Sequence, residues 1–383
     1  MAMQSLDPVA LTQDLIRRPS VTPADAGAMD TLQRTLDRLG FECRRMKFGQ
    51  IENLYARRGT ASPNLCFAGH TDVVPAGDRA AWRYDPFGAD VSDGILHGRG
   101  AVDMKGGIAA WVAAVSRTLA QGEVPGSLSF LITGDEEGEA VDGTVKVVET
   151  LRAEGEIVDH CVVGEPTCTA ILGDMIKVGR RGSINAYIEV QGEQGHVAYP
   201  HRAANPMPVL LRLLNALQMR HLDDGYERFQ PSNLEITTVD VGNPTTNVIP
   251  AKATTRVNVR FNPAQSGPAL AAWFQDEAAK AGEGFAGTVS VRTAISGEAF
   301  LTEHSPFVEL VASAVRTITS QEPDLSTTGG ISDARFIRSL CPVVEFGLVG
   351  ATMHAIDERV PVTEIEQLTT VYQRIIEGYF ARF

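Results

Sequence analysis

Seven carboxylate and imidazole side chains of this 383-residue chain are candidates for metal chemistry, because their types suit metal ions and they lie at ordered spacing in five short motifs. The motifs are GHTD, GRGAVDMKGG, TGDEEG, VVGEPT and ATMHAIDE. The residues are His70, Asp72, Asp103, Glu136, Glu137, Glu165 and His354. Imidazole nitrogens and carboxylate oxygens suit zinc-like ions, and the set exceeds the roughly four ligands that one ion needs. It therefore predicts two metal ions, with acids left over for proton transfer.

Two pairs within this set indicate different roles for neighbouring residues. His70 and Asp72 are two residues apart at a predicted strand end, where alternation turns both side chains the same way. A metal-bound imidazole usually has its second nitrogen held by a carboxylate or a carbonyl, which Asp72 is placed to supply. Glu136 and Glu137 are adjacent carboxylates, which repel and favour a cation or a proton between them. We expect one of them to bind metal while the other faces the reacting water.

Each of these residues by itself also has a simpler structural interpretation. His70 and Asp72 fit a surface histidine and a turn-forming aspartate, and Asp103 fits a helix N-cap. The glutamate pair fits a solvated acidic helix start. Glu165 alone fits a turn residue, and His354 alone fits a loop histidine. The metal hypothesis is preferred because the positions gather at one edge of one predicted sheet.

Short apolar strands that end in polar loops must position these residues. Such runs lie at 64–68, 127–133, 161–163 and 343–346, and helical patterns lie at 24–39, 106–120 and 141–153. The alternation of strand and helix predicts an α/β layer. Open α/β sheets bind ligands beyond the carboxyl ends of their strands. Every candidate ligand follows a predicted strand except Asp103, which precedes a helix in a glycine-rich loop, so one crevice can collect them all.

The middle of the chain follows a different pattern. Alternating strands are predicted at 184–190, 233–241, 254–261 and 288–295, with helices at 206–219 and 268–281. This β-α-β-β-α-β order is ferredoxin-like. The α/β pattern then returns with a helix near 305–320. We therefore predict a discontinuous catalytic domain, 1–181 and 296–383, that contains an inserted α+β domain, 182–295.

The composition excludes several classes of protein. The length favours two domains, and 44% hydrophobic with 21% charged residues is typical of a globular protein. A net charge of −13 argues against nucleic-acid partners and anionic membranes. The sequence contains neither a run of about 18 apolar residues nor a secretory signal pattern. The five cysteines form no C-x-x-C pair, so we expect a reduced, cytoplasmic protein.

GHTDVVP, GRGAVDMKGG, DEEG and GEPT, with the late histidine, resemble the motifs of the dinuclear-zinc aminoacylase/carboxypeptidase family of amidohydrolases. The resemblance spans nearly the whole chain. It implies a zinc-peptidase-like catalytic domain, with a central mixed sheet flanked by helices, and an inserted dimerisation or lid domain. It also implies that His70 and Glu165 hold one Zn²⁺ ion. Glu137 and His354 would hold a second, and Asp103 would bridge them, with Co²⁺ able to substitute at one site.

The same resemblance assigns the proton-transfer and oxyanion roles. Asp72 would orient His70. Glu136 would be the general base that takes a proton from the bridging water and passes it to the leaving amine. His196, in GHVAYPH, resembles the family's oxyanion-stabilising histidine, which the inserted domain of a homodimer presents to the partner subunit. A structural histidine near a dimer edge is the alternative for His196.

Substrate-side motifs resemble a subgroup that hydrolyses an N-succinyl diamino diacid, whose carboxylates call for planar guanidinium groups. They are IKVGRRGSI, NVIPAKA, RVNVRFN and STTGGISDARF. The implied substrate contacts are Arg180, Ser183, Tyr199, Asn247, Arg260, Thr328 and Gly329. An ordinary ion pair is the alternative for each arginine. Ile331 departs from the pattern, since the family often has threonine or serine there, and this puts the exact substrate in doubt.

Two classes of function therefore stay open. The first is an amidohydrolase for a small N-acyl amino acid, with the N-succinyl diamino diacid as the expected substrate. Acetylornithine, another N-acyl amino acid or a peptide is the alternative substrate within that class. The second class is a non-catalytic binding or scaffold protein on the same fold. Such relatives usually lose the ligands or the base, and this chain has all of them.

Overall fold

The computed structural model describes residues 5–383 of the chain. Its helices are α1 Pro8–Ile16, α2 Ala28–Arg38, α3 Lys105–Gln121, α4 Thr144–Ala153, α5 Pro206–Met219, α6 Gly267–Ala281, α7 Pro306–Thr319, α8 Ala334–Ile337 and α9 Val362–Arg382. The first eight strands are β1 Glu42–Phe48, β2 Ile51–Arg58, β3 Asn64–His70, β4 Val91–Ser92, β5 Ile95–His97, β6 Ser127–Thr133, β7 His160–Val163 and β8 Met175–Lys177. The others are β9 Gly179–Arg180, β10 Gly182–Gln191, β11 Gly195–His196, β12 Asn233–Asp240, β13 Val248–Ile249, β14 Lys252–Phe261, β15 Thr288–Gly297, β16 Phe300–Leu301, β17 Asp324–Ser326, β18 Val343–Glu345 and β19 Arg359–Pro361.

Local capping explains why several helices begin where they do. The side chains of Asn205 and Ser305 each accept a hydrogen bond from a backbone N–H of the first turn, and a proline follows each of them. Helices α5 and α7 accordingly lie within a residue of their predicted ranges. Helix α4 begins three residues later than predicted. It begins after Gly143, whose φ of −96° and ψ of −132° lie outside the helical region, and the amide N–H groups of Val141 and Asp142 donate to the Asp135 carboxylate in the segment before it.

The first of two units of the fold contains residues 5–178, Thr302–Ser326 and Ser332–Phe383. Its main sheet has eight strands in the order β1-β2-β6-β3-β7-β18-β8-β17. Strand β3 runs parallel to β6 and β7, whereas β2 is antiparallel to β6, so the sheet is mixed. Helices α3 and α9 pack on it through an aromatic cluster: Trp111 lies 4.9 Å from the rings of both Phe67 and Tyr372. Burial of these large rings anchors the sheet that carries the predicted ligands.

The second unit contains Gly179–Leu301 and Thr327–Ile331. Its antiparallel sheet has the order β12-β14-β10-β15, and its core joins the sheet to the apolar faces of α5 and α6. The succession β10-α5-β12-β14-α6-β15 agrees with the predicted ferredoxin-like order. The sequence placed the boundaries at 181/182 and 295/296, and it placed 327–331 with the catalytic domain. In the structure this glycine-rich segment lies in the second unit, where it is hydrogen-bonded to Arg180 and to the loop of Arg228.

None of the helices within residues 5–383 combines the length and the apolar character that a membrane span needs.

Candidate metal centre

Neighbouring parallel strands bring most of the predicted ligands to one edge of the large sheet. His70 is the last residue of β3 and stands opposite Thr133, the last residue of β6. Glu136 and Glu137 follow β6, and Glu165 follows β7. Because β3 is parallel to both of these strands, their carboxyl ends meet on the same side.

Asp103 reaches the same edge from the loop that precedes α3. Gly107, in the first turn of this helix, lies against the carbonyl oxygen of Gly164, and a Cβ at position 107 would come within 2.6 Å of that oxygen. Glycine therefore lets the helix after Asp103 approach the strand end that precedes Glu165.

The first ligand cluster contains His70, Asp103 and Glu165. His70 Nε2 lies 3.2 Å from Asp103 Oδ1 and 3.7 Å from Glu165 Oε1. The ligand atoms of all three residues lie within 4.8 Å of one another. These same three atoms are buried without a hydrogen-bond partner in the described part of the chain. Buried polar atoms are rarely left unpaired, so a convergent group of this kind fits a cation.

The second cluster contains Asp103, Glu137 and His354. His354 Nε2 lies 2.8 Å from Glu137 Oε1 and 3.3 Å from Asp103 Oδ2. The two carboxylate oxygens of Asp103 thus face different clusters, which is the geometry of a bridging carboxylate. The imidazole of His354 is half exposed, whereas the other ligands are buried or nearly so. The cluster is therefore open to solvent on the His354 side.

The charges at this edge are unbalanced without a cation. Burial and the negative charges of Asp103 and Glu136 raise the pKa of Glu165 well above its ordinary value. Hydrogen bonds to Asp103 and Glu137 raise the pKa of His354 to about 10. Protons therefore stabilise the metal-free cluster, and metal ions would replace them, because metal binding to such ligands releases protons.

Asp72 holds the second nitrogen of His70 through its main-chain carbonyl, one of the two kinds of group expected for this contact. His70 Nδ1 lies 2.9 Å from the main-chain oxygen of Asp72 and 3.6 Å from its carboxylate Oδ1. The Asp72 carboxylate instead accepts the amide N–H groups of Glu136 and Glu137, at 3.3 and 3.0 Å. The carbonyl of Asp72 thus orients the imidazole, while its carboxylate orients the loop that carries both glutamates.

Glu136 lies near the two clusters, but it is not in close contact with either histidine as Asp103, Glu137 and Glu165 are. It lies within 4.8 Å of ligand atoms of His70 and Glu137. Burial, together with the charges of Asp333 and Glu137, raises the pKa of Glu136 to about 8, against the opposing charge of His70. A carboxyl group of this kind can accept and release a proton near neutral pH.

Asp333 is a contributor to this site that the sequence did not single out. Its carboxylate is buried and accepts a hydrogen bond from Thr144 Oγ1 at 2.6 Å, and its charge acts on Glu136. The sequence feature that could have drawn attention to Asp333 is the motif STTGGISDARF, in which this aspartate follows the glycine-rich segment.

The second unit holds the predicted substrate contacts. Ser183 of β10 is the register partner of Arg260 in β14, and its hydroxyl accepts a hydrogen bond from Asn258. Burial and the adjacent charge of Arg181 lower the pKa of Arg260. Two neighbouring guanidinium groups make this position favourable for an anion.

A second group of predicted contacts surrounds Arg180. Its Nη1 donates to the main-chain oxygen of Gly330 at 3.2 Å. Gly329 has a φ of 101°, and a Cβ there would lie 2.9 Å from Arg180 Nη1. The structure therefore brings Arg180 together with the segment that contains Thr328 and Gly329.

The remaining three predicted residues share one exposed region of the second unit. His196 lies in β11, and its ring centroid is 5.6 Å from that of Tyr199. The main-chain oxygen of Asn247 accepts the amide N–H of Val197 at 3.1 Å. His196, Tyr199 and Asn247 are all exposed in the single chain.

Comparison with known proteins identifies the family. The model of peptidase family M20/M25/M40 matches residues 66–378. A succinyl-diaminopimelate desuccinylase of Caulobacter vibrioides is 69% identical over 379 residues, which cover 99% of this chain and 97% of that protein. One from Phenylobacterium zucineum is 67% identical over 377 residues, covering 98% and 99%. The chain belongs to peptidase family M20/M25/M40.

A solved structure confirms the fold class. An M20 family metallo-carboxypeptidase of Sulfolobus solfataricus superposes with a TM-score of 0.82 at 16% identity, covering 98% of this chain and all of that one. The predicted α/β fold, with its mixed central sheet flanked by helices, is therefore confirmed.

Proposed function

We propose that this chain is a metal-dependent amide hydrolase that cleaves N-succinyl-LL-2,6-diaminopimelate into succinate and LL-2,6-diaminopimelate. This reaction belongs to diaminopimelate and lysine biosynthesis. One observation carries the chemistry: the carboxylate of Asp103 lies between two clusters of imidazole and carboxylate ligands. The choice of substrate rests on relatives 53% and 69% identical that are named succinyl-diaminopimelate desuccinylase. We place the enzyme in the cytoplasm, in keeping with its five free cysteines.

We assign the ligands to two Zn²⁺ ions according to the clusters. His70 and Glu165 hold one ion. Glu137 and His354 hold the other, and Asp103 bridges the two. Mixed nitrogen and oxygen ligands of this kind suit zinc, and Co²⁺ has closely similar preferences, so we propose that it can replace zinc at one site. When bound, the ions supply a water of lowered pKa and a polarised amide carbonyl.

The side chains then have separate tasks in hydrolysis. Glu136 takes the proton from the attacking water and passes it to the amine that leaves. Asp72 keeps Glu136 in place, since its carboxylate binds the amide N–H groups of Glu136 and Glu137. His70 is held by the carbonyl of Asp72, so that Nε2 remains directed at the carboxylates.

The second unit supplies recognition in this proposal. Arg180 and Arg260 bind carboxylates of the substrate, because guanidinium groups match their planar, bidentate geometry. Ser183, Tyr199, Asn247, Thr328 and Gly329 complete the assigned contacts. The closeness of Arg180 to the segment of Gly329, and of Arg260 to Ser183, supports this grouping.

We further propose that the protein is a homodimer assembled through the second unit, 182–295 in the sequence-based division. His196 would then stabilise the oxyanion in the partner's active site. Its exposure in the single chain supports this role, since a donor for another subunit must be accessible.

Substrate selection tests the proposed function directly. The zinc-loaded protein should hydrolyse N-succinyl-LL-2,6-diaminopimelate with a kcat/KM at least about 100-fold above that for N-acetylornithine, because the arginines lose a carboxylate partner in the acetyl compound. Release of succinate and of amine should be followed on a panel of succinyl, acetyl and dipeptide substrates, with the zinc content measured on the same sample. If the zinc-loaded protein does not hydrolyse the succinyl compound but does hydrolyse N-acetylornithine, the enzyme is a deacetylase instead.

Removal of the bridging carboxylate tests the metal assignment. Asp103→Ala should lower the metal content from two ions per chain to one or none, because both proposed sites lose a ligand. Metal can be quantified by mass spectrometry after gel filtration of the reconstituted protein. Asp174→Asn is the control, because Asp174 is an aspartate of the same unit whose carboxylate accepts amide hydrogen bonds from Thr169, Ala170 and Ile171 but belongs to neither cluster. Two ions in the Asp103 variant would contradict a bridging role.

A further inference from the structure

The buried carboxylate of Glu358 accepts hydrogen bonds from four groups of the loop that carries Asp103. Its side chain has no solvent exposure. Oε2 accepts hydrogen bonds from Arg99 Nη1 at 2.7 Å and from the amide of Gly100 at 3.0 Å. Oε1 accepts the amide N–H groups of Val102 at 2.9 Å and of Asp103 itself at 3.1 Å. Four donors therefore converge on one carboxylate, and one of them belongs to the shared ligand.

Arg99 extends this contact to the loop of the second histidine. Its side chain is 3% exposed and lies over the ring of Trp82. Nη2 donates to the main-chain oxygens of Pro75, at 3.4 Å, and of His354, at 3.3 Å. His354 has a φ of 61°, in the left-handed region that residues other than glycine rarely adopt. The Arg99 hydrogen bond thus holds the backbone of a proposed ligand in an uncommon conformation.

We propose that Arg99 and Glu358 are positioning residues that hold Asp103 and His354 at the spacing required by the metal ions, before any metal binds. The pair acts on the backbones of these two residues and does not contribute ligand atoms. The inference rests on the metal site of the proposed function and adds a role for a buried ion pair outside the ligand set.

The origin of the ligands explains why such a tether is needed. The ligands of the two clusters come from separate segments of the chain, and in the metal-free protein no shared ion joins these segments. A tether that does not depend on metal keeps the ligands preorganised. Less binding energy is then lost in ordering the loops, and metal affinity is higher.

Two conservative substitutions remove the tether without removing a ligand. Glu358→Gln keeps the size of the side chain, but its amide nitrogen would face N–H donors in place of an accepting oxygen. Arg99→Lys keeps the charge, but one ammonium group cannot match the separated contacts that a guanidinium makes. Neither change alters a ligand atom of the two metal clusters.

A control on the opposite edge of the sheet separates positioning from general destabilisation. Glu156 accepts hydrogen bonds from Tyr55 Oη and from Arg57, and Arg57 of β2 stands opposite Ser129 near the start of β6. The ligands lie at the other end of that strand. Glu156→Gln therefore weakens an ion pair of the same unit without reaching the metal centre.

The experiment measures metal affinity without substrate. Zn²⁺ is titrated into the metal-free wild type and variants in competition with a chromophoric chelator, after near-ultraviolet circular dichroism shows that each is folded. Glu358→Gln and Arg99→Lys should bind the ions about 10- to 100-fold more weakly than wild type, and Glu156→Gln should bind as wild type does. Folded Glu358→Gln and Arg99→Lys proteins with wild-type affinity would overturn the positioning role.

The wild type itself provides a second readout that does not depend on whether the variants fold. Amide hydrogen exchange of Val102 and Asp103 should be slow in the metal-free wild type, because Glu358 rather than metal accepts these N–H groups. Fast exchange that becomes slow only when Zn²⁺ is added would overturn the inference while leaving the metal site intact. A wild type that binds no Zn²⁺ would overturn the proposed function, and the positioning role with it.

Discussion

Glu136→Gln is expected to lower kcat by about 10²- to 10⁴-fold while both metal ions stay bound. The change removes the proton acceptor but keeps the size of the side chain. It also keeps the amide N–H of residue 136 that the Asp72 carboxylate accepts. Turnover of the succinyl substrate and zinc content should be measured on the same preparation. Loss of turnover at full metal content is the signature of a missing base rather than of a damaged site.

Glu139→Gln is the matched control for this result. Glu139 lies in the same loop, is exposed, and belongs to neither ligand cluster. Its substitution removes the same carboxylate chemistry and should leave kcat and metal content unchanged. A Glu136→Gln protein that turns over at the wild-type rate would show that the base is another group and that the assignment of Glu136 is wrong.

His196→Ala is expected to lower kcat by about 10²- to 10³-fold with little change in metal content, because a donor to the oxyanion acts only in the transition state. His201→Ala is the control, since His201 is an exposed histidine five residues further along the same region. Metal content and KM should stay close to wild type in both variants. A His196→Ala protein with full turnover would exclude the oxyanion role.

Mixing two inactive proteins tests whether His196 serves the partner subunit. Subunits of the Glu136→Gln and His196→Ala proteins are exchanged to form mixed dimers. In a mixed dimer, the active site of the His196→Ala subunit has its own Glu136 and receives His196 from the other subunit. Random exchange should restore roughly a quarter of wild-type activity, because half of the dimers are mixed and each has one complete site. Mixed dimers that form but remain inactive would show that His196 does not act in trans, as would a fully active monomer.

The positions of the strands and helices could be predicted closely from local patterns. Strand β6 and helix α5 occupy the predicted residues, because a short, mostly apolar run and an asparagine followed by proline define them within a few residues of chain. Helix α4 starts three residues later than its pattern indicates, because the backbone of Gly143, just before it, lies outside the helical region. Periodicity does not reveal such a local change of backbone conformation, nor the hydrogen bonds from Val141 and Asp142 to Asp135.

The grouping of candidate ligands was also predictable, because it depends on strand ends and on the types of residue that follow them. Their partners were only partly predictable. Asp72 was expected to hold His70 through a carboxylate or a carbonyl. Its carbonyl does so, while its carboxylate accepts the amides of Glu136 and Glu137. A two-residue spacing gives the side of the strand on which a side chain lies. It does not give which of two nearby acceptors, carbonyl or carboxylate, has the better angle to the imidazole.

The sequence alone therefore determined the α/β class, the ferredoxin-like order of the middle elements and the set of candidate metal ligands, since each depends on local periodicity or on the chemistry of single side chains. The tertiary structure decided that the two oxygens of Asp103 face different clusters, and that Glu358 binds the loop of Arg99 and Asp103, which lies more than 250 positions earlier in the chain. It also decided that 327–331 lies with the second unit. These features depend on pairs of residues far apart in the chain, and only folding sets the distance and angle between them.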